Sequence, residues 1–457
     1  MKNKKFWISL SLLNLCTVTL LGVVLRSKAL FELPAIDYNH LLNAHSHFAF
    51  GGWVTLTLMV LMVSSFLNQP QKILPRYQFI FLGIFASTWG LLLTLPFAGY
   101  NTFSSYISTL FIFITYIFCW IFIKNIRKAN VNKTTLLLSM ASVVCLVLSS
   151  GGSFMLAYLF STKSLNAVLY RDALFSYLHL QYNGFFTLAV FALLFQKLES
   201  KLSAEVKKKM HRFSVLLVLS ILPSMFLSYH WHDPSILFQI IAIAGSILLL
   251  LSLGWFISLL RSMVNLYKSV SPTLKFVGVL SLGAFMLKMF LQSLTIITFV
   301  GNLVFGDRPI IMGFLHLVFL CFVTLFLLAY IAQTGGLNTE KKFTKVSLIV
   351  FALGVVVNEI LLLTQGIGEM LIQGSAIFTW LLWGAGIWLS IGATLICIAR
   401  FKNAKNLMTL DVDGPEKIQE ICNTSEKNKS LKDRTGHHQK KKLKIYSNER
   451  KNHLQKM

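Results

Sequence analysis

Residues 310–332 read IIMGFLHLVFLCFVTLFLLAYIA. No Lys, Arg, Asp or Glu interrupts the run. As a helix it is ~35 Å long, and a hydrocarbon core about 30 Å thick asks for about 20 mostly apolar residues. Its one histidine is His316. Both features recur along the chain. Eleven further runs reach spanning length: Phe6–Leu25, His40–Leu67, Tyr77–Phe97, Ser104–Ile123, Thr135–Phe160, Ala173–Gln196, Phe213–Ser228, Ile236–Leu260, Phe276–Val300, Val346–Thr364 and Ile377–Ala399. The reading is therefore all-α: a polytopic membrane protein with a twelve-helix bundle over residues 1–400.

Composition agrees. Of 457 residues, 55% are hydrophobic and 13% charged. Soluble domains carry about 25% charged residues, so a soluble globular fold, a disordered chain and a collagen-like chain are excluded. The six cysteines form no CxxC pair. Cys16, Cys119, Cys145, Cys321 and Cys397 lie inside apolar runs and Cys422 lies in the polar end of the chain, so they read as side chains of the interior rather than as a disulfide framework or a thiolate metal site. No repeat of 20–50 residues is visible.

The formal net charge is +25, and its distribution matters more than its size. With the N-terminus placed in the cytoplasm, the inner segments before residue 401 carry 21 Lys and Arg and the outer loops carry 5. Basic residues accumulate on the cytoplasmic side of membrane proteins, so both termini are expected inside, in the cell (inner) membrane. The first run, after Met1–Lys5, is longer than a signal-peptide core and is read as a retained helix, with Ser27-Lys28-Ala29 as the alternative cleavage site. Residues 401–457 are polar and basic, with Lys440, Lys441 and Lys442 in a row. They are expected to form a disordered cytoplasmic tail that meets anionic lipid; no nucleic-acid partner is expected.

The histidines carry the functional signal. His40, His45, His47, His179, His230, His232 and His316 all fall in the outer part of their spans, whereas His211 lies at an inner end beside Arg212. Ionisable side chains are costly in hydrocarbon and face the interior of a bundle. Four helices bringing imidazoles to one depth band point to haem or metal ligation, since neutral imidazole suits iron, copper and zinc. His45 and His47 stand about 200° apart on a helix, so only one of them can face a given cofactor. His179, Tyr182 and Asn183 share a face. Near mid-depth, Lys288 and Glu359 are either functional groups or an ion pair. Asp233, Asp307 and Glu369 read as solvated loop residues.

These residues resemble the haem–copper oxidase subunit I superfamily and the related NnrS family, both of twelve spans. Ala44-His45-Ser46-His47-Phe48-Ala49-Phe50-Gly51-Gly52 is similar to the second helix of NnrS proteins, and its FAFGG is similar to the cbb3-type oxidases. His179 followed by Gly184-Phe185-Phe186 resembles a copper-ligand helix, Tyr229-His230-Trp231-His232 lies near the family's paired copper ligands, and Gly313-Phe314-Leu315-His316 is similar to its GHxH. The resemblance implies a low-spin, b-type haem held by His45 or His47 together with His316. It also implies a copper-type metal at His179, His230 and His232, a redox or nitric-oxide-related role, and an electron-donor protein or partner subunits beside the lipid bilayer. Phe314 stands where the family's high-spin haem finds its ligand, so reduction of dioxygen is not expected. Met312 lies on the opposite side of that helix. The alternative is a transporter or permease whose outer histidines form a metal or proton site.

The basic-residue bias yields a first prediction. In a cysteine-free background, a cysteine at position 205 is labelled by a membrane-impermeant reagent only from the cytoplasmic side, and one at position 165 only from outside. The reverse pattern would invert the topology.

Overall fold

A computed structural model describes residues 4–67, 73–232, 234–265, 270–306, 308–370 and 376–412, without the side chains of 302, 303, 305, 306, 308, 369, 370 and 403–412. Among the described residues the regular structure is entirely helical. Twelve helices are long and apolar enough to cross a membrane, which makes this a multi-pass membrane architecture. They are α1 (Lys4–Ser27), α2 (Tyr38–Phe66), α3 (Pro75–Ala98), α4 (Thr102–Ile126), α5 (Lys133–Ser161) and α6 (Ala167–Lys201), then α7 (Ala204–Tyr229), α8 (Ile236–Ser262), α9 (Pro272–Leu294), α10 (Pro309–Gln333), α11 (Lys342–Gly368) and α12 (Ala376–Lys402). Contacts divide the chain into two units, Met1–Arg400 and Phe401–Met457. The expected tail falls largely beyond residue 412, outside the described residues, as do Asp233, Asp307 and the Glu369 side chain.

Several helices start earlier than their apolar runs, because polar caps rather than hydropathy set the start. The Asn166 side chain accepts the Leu169 amide at 2.9 Å, so α6 begins at Ala167 and takes in Tyr170-Arg171-Asp172. Ser203 accepts the Val206 amide, so the cationic stretch Lys207–Arg212 is helical. Asp37 accepts the His40 amide at 3.0 Å and opens α2, and that amide holds the Asp37 carboxyl below its ordinary pKa. Each such cap satisfies an amide that the helix itself leaves unpaired. The ninth run is shorter than its apolar length, since α9 ends at Leu294 and a separate short helix follows over Thr298–Gly306.

Three spans depart from α geometry at corresponding places. α2 widens to a π-helix over Phe48–Thr55, α6 over Leu180–Phe186 and α10 over Leu317–Thr324. Each wide segment begins immediately after a histidine. The three stretches, HFAFGGWVT (47–55), HLQYNGFFT (179–187) and HLVFLCFVT (316–324), align without gaps. Histidine leads and threonine closes, with aromatic residues at the fourth and seventh places. The motif recurs every four spans, a threefold internal repetition that a search at 20–50 residues misses.

A π turn leaves backbone groups poorly paired, and in lipid these must be satisfied from within the protein. The side chains do so. Asn14 of α1 donates to the Gly52 carbonyl at 2.7 Å, Thr187 donates to the Tyr182 carbonyl at 2.6 Å, and Ser281 of α9 donates to the Phe322 carbonyl at 2.7 Å. The wide segments meet at the centre of the bundle. Phe50 lies on Phe319 with ring centroids 4.2 Å apart, Phe186 meets Phe319 edge-on, and Trp53 Nε1 donates to Thr324 Oγ1 at 2.9 Å. Around them Phe191, Phe213, Phe256 and Phe285 form a buried aromatic cluster drawn from α6 to α9.

Small residues allow the closest helix approach. At Gly245 of α8 an added Cβ would stand 2.5 Å from the Ser224 backbone nitrogen of α7, whereas Gly254 on the same helix faces open space. Gly245→Ala should therefore destabilise the protein by about 1–3 kcal/mol through overpacking, while Gly254→Ala is tolerated. Thermal unfolding in detergent measures both, and equal midpoints would contradict the close crossing.

Candidate functional site

Two cavities flank α10. The first, about 450 Å³, lies among α1, α2, α10, α11 and α12. Its wall is largely apolar, with Trp53, Phe50, Met312 and Phe319 along the sides and Arg26, Asn358 and Gln365 as polar groups. Two imidazoles line it, His45 from α2 and His316 from α10. Arg26 lines the same cavity.

The ring nitrogens of these two histidines are differently committed. His316 Nδ1 donates to the Met312 carbonyl one turn back at 2.7 Å. That bond fixes the tautomer and the ring plane and leaves Nε2 without a proton, the arrangement common to metal-bound imidazoles. His45 Nδ1 is enclosed and has no hydrogen-bond partner. A buried polar atom left unpaired costs free energy, and His45 carries such an atom on a ring that lines the cavity. The cavity falls within the usual size range for small-molecule sites. On these observations His45 and His316 are the residues that would hold a haem in this cavity.

His47 is directed elsewhere. Its Nε2 is hydrogen-bonded to the Tyr100 hydroxyl in the α3–α4 connection, and the two rings meet edge-on. The sequence left His45 and His47 as alternatives, with His47 the better matched in depth to His316; in the structure it is His45 that lines the cavity. Arg26 is held in place by donating to the Leu382 carbonyl at 2.5 Å and to Asn358 Oδ1 at 2.6 Å.

The second cavity, about 520 Å³, lies between α6, α7, α9, α10 and α11. Phe314 lines it, two residues from Met312 and His316, which face the first cavity. Its described lining offers no imidazole, thiolate or thioether; its polar groups are Tyr182, Ser228, Gln292, Thr295 and Glu359. A second haem would find no histidine there, so the residues do not fit the high-spin haem of the resembled family.

His179, His230 and His232 are not brought into one cluster. His179 is fully buried, with Nε2 donating to the Ile221 carbonyl at 2.8 Å and Nδ1 accepting from the Asn183 amide at 3.0 Å, so both nitrogens are in use. Because α6 starts at Ala167, His179 also lies about two turns deeper along its helix than a start at residue 173 implies. His230 Nδ1 donates weakly to the Phe226 carbonyl at 3.3 Å. His232 Nε2 donates to the Asp172 carboxylate at 2.9 Å. That carboxylate also accepts from Trp231 Nε1, over whose ring the Arg171 guanidinium lies at 4.1 Å. Among the described residues no three His, Cys, Asp or Glu side chains stand close enough to hold a metal ion. Lys288 and Glu359 are not paired: the Lys288 amine is buried near the Met289 sulfur, and Glu359 Oε1 accepts from Asn358 at 3.1 Å.

No protein-family model matches the chain, and no curated protein matches it.

The His179 hydrogen bonds give a test of its role. His179→Ala takes from the buried Asn183 amide its acceptor at 3.0 Å and leaves the Ile221 carbonyl with the Ser224 hydroxyl at 3.3 Å. Stability of metal-free protein should fall by about 1–3 kcal/mol for each group left unpaired, read as a lower unfolding midpoint. An unchanged midpoint would mean that the bonds do not hold the helices, and would return His179 to a ligand role.

Proposed function

We propose that this chain is a multi-pass membrane haem protein with a redox role, holding one low-spin b-type haem between α2 and α10. The observation that carries the reading is the 450 Å³ cavity with His45, orphaned at Nδ1, and His316, braced at Nδ1 by Met312, both on its wall. A haem there would supply one-electron redox chemistry, tuned by its axial ligands and by the dryness of its surroundings. The chain's own residues supply the rest. His45 and His316 would hold iron, Trp53, Phe50 and Phe319 exclude water, and Arg26 provides positive charge where a carboxylate-bearing macrocycle needs it.

With His45 and His316 both given to the iron, such a haem would supply electron transfer rather than gas binding. Among the described lining of the second cavity Tyr182 is the one residue of the usual axial type, so the reading places no second haem there. The permease reading draws on broken helices in two related halves; the repetition found here is threefold, every four spans.

The purified protein should show a Soret band and one haem per chain. His45→Ala and His316→Ala should each abolish the bis-imidazole spectrum, whereas His47→Ala should keep it. A spectrum that survives both cavity variants would overturn the assignment, and two haems per chain with sustained oxygen uptake would overturn the rest.

A further inference from the structure

The second cavity is the larger of the two and has no part in holding the haem. Three features describe what it can take. First, it opens to the side. Leu287 and Leu291 of α9 and Ile360 and Leu363 of α11 line it, and all four are exposed, Leu363 to 63%. They belong to the exposed apolar stripes of their helices, which continue through Val279 and Phe290 on α9 and through Val346 and Leu353 on α11. In a bilayer those stripes face lipid tails, so the mouth lies between two lipid-facing helices and an occupant enters from the hydrocarbon.

Second, the interior is not uniformly apolar. Gln292 is 6% exposed, lines the cavity, and its Oε1 is enclosed without a hydrogen-bond partner. Glu359 lines the cavity from α11, and its one hydrogen bond is the one that Oε1 accepts from Asn358. A hydrocarbon chain would leave both unsatisfied, and a fatty acid would set its carboxylate among acceptors. A neutral molecule with oxygen substituents pairs with them: a hydroxyl donates to Gln292 Oε1 or to Glu359, and a carbonyl accepts from the Gln292 amide. Third, the walls are aromatic at the inner end, where Phe175, Tyr182 and Phe314 line the space and Tyr182 meets Phe314 edge-on at 6.0 Å. Flat rings stack on such walls.

We propose that the cavity among α6, α9, α10 and α11 binds a membrane-dissolved quinone or quinol, with its ring against Phe314 and Tyr182, its oxygens on Gln292 and Glu359, and its tail leaving between α9 and α11. Phe314 is then a wall for a planar ring, at the place where an axial ligand would otherwise stand. The site names the class of electron carrier that the redox reading calls for, and in that use rests on it, but binding itself does not require haem. Glu359 also ties the two cavities together. It is bonded to Asn358, and Asn358 to Arg26, so the second cavity is joined to the first through two hydrogen bonds.

The full chain in lipid nanodiscs, titrated with tritiated decylubiquinone, provides the test. Saturable binding is expected, weakened about tenfold in Gln292→Leu and in Glu359→Gln, the loss set by one hydrogen bond of about 1.4 kcal/mol. Oleate should compete poorly. Size-exclusion profile and thermal midpoint confirm that each variant is folded, and the more conservative Glu359→Gln decides the matter where Gln292→Leu fails to fold. Absence of saturable binding, an affinity unchanged in the folded variants, or equal displacement by oleate would each overturn the proposal, the last showing a site for acyl chains. Protein made in haem-depleted cells should bind the quinone equally well. Quinone binding without any Soret band in normally produced protein would defeat the haem reading alone, and a Soret band without quinone binding would defeat this one alone.

Discussion

The rule that a backbone buried in lipid must satisfy its own polar groups shapes the centre of this molecule. Three spans break α geometry there, and each break is repaired by a hydroxyl or an amide: Asn14 on Gly52, Thr187 on Tyr182 and Ser281 on Phe322. Two of the three repairs come from a neighbouring helix. A widened turn therefore also fixes which helix lies beside it and at what height. The extra residue in each wide turn changes the direction of every side chain that follows. It brings Phe50, Phe186 and Phe319 to one point and lets Trp53 reach Thr324. Straight helices of the same composition would span a membrane equally well but would not converge on these contacts.

With that centre fixed, α10 becomes a partition. Met312 and His316, four residues apart, share one face and line the first cavity, while Gly313, Phe314 and Leu317 line the second. One helix thus sets the chemistry of two compartments by the alternation of a few positions. Imidazole on one side and phenyl on the other make the compartments unlike.

Much of this was legible in the sequence, and the failures have physical causes. Twelve spans followed from length and hydropathy, because a bilayer sets a minimum length that chance apolar runs seldom reach. Helix starts did not follow, since Asn166 and Ser203 extend helices into polar sequence by capping, which hydropathy does not register. His45 and His47 could not be separated, because a 200° difference says that they diverge and not which one faces inward; Tyr100, on another connection, takes His47. His179, His230 and His232 looked alike as histidines near one end of their spans. Their partners are a carbonyl on α7, a local carbonyl and the Asp172 carboxylate, and none of these contacts is local enough in sequence to be read from spacing, save His230 with Phe226. The threefold repeat escaped notice because its period is four whole spans and its signature is nine residues long.

Across α11 the two compartments are linked by hydrogen bonds. Adjacent residues on a helix point about 100° apart, so Asn358 and Glu359 face different cavities by geometry alone. An apolar pair at these positions would satisfy the bundle at lower cost, because a carboxyl and a carboxamide inside hydrocarbon are expensive. They are instead joined to each other and to Arg26, whose second bond, to the Leu382 carbonyl, anchors α1 to α12. Glu359, Asn358 and Arg26 thus form one hydrogen-bonded chain that reaches from the second cavity to the wall of the first.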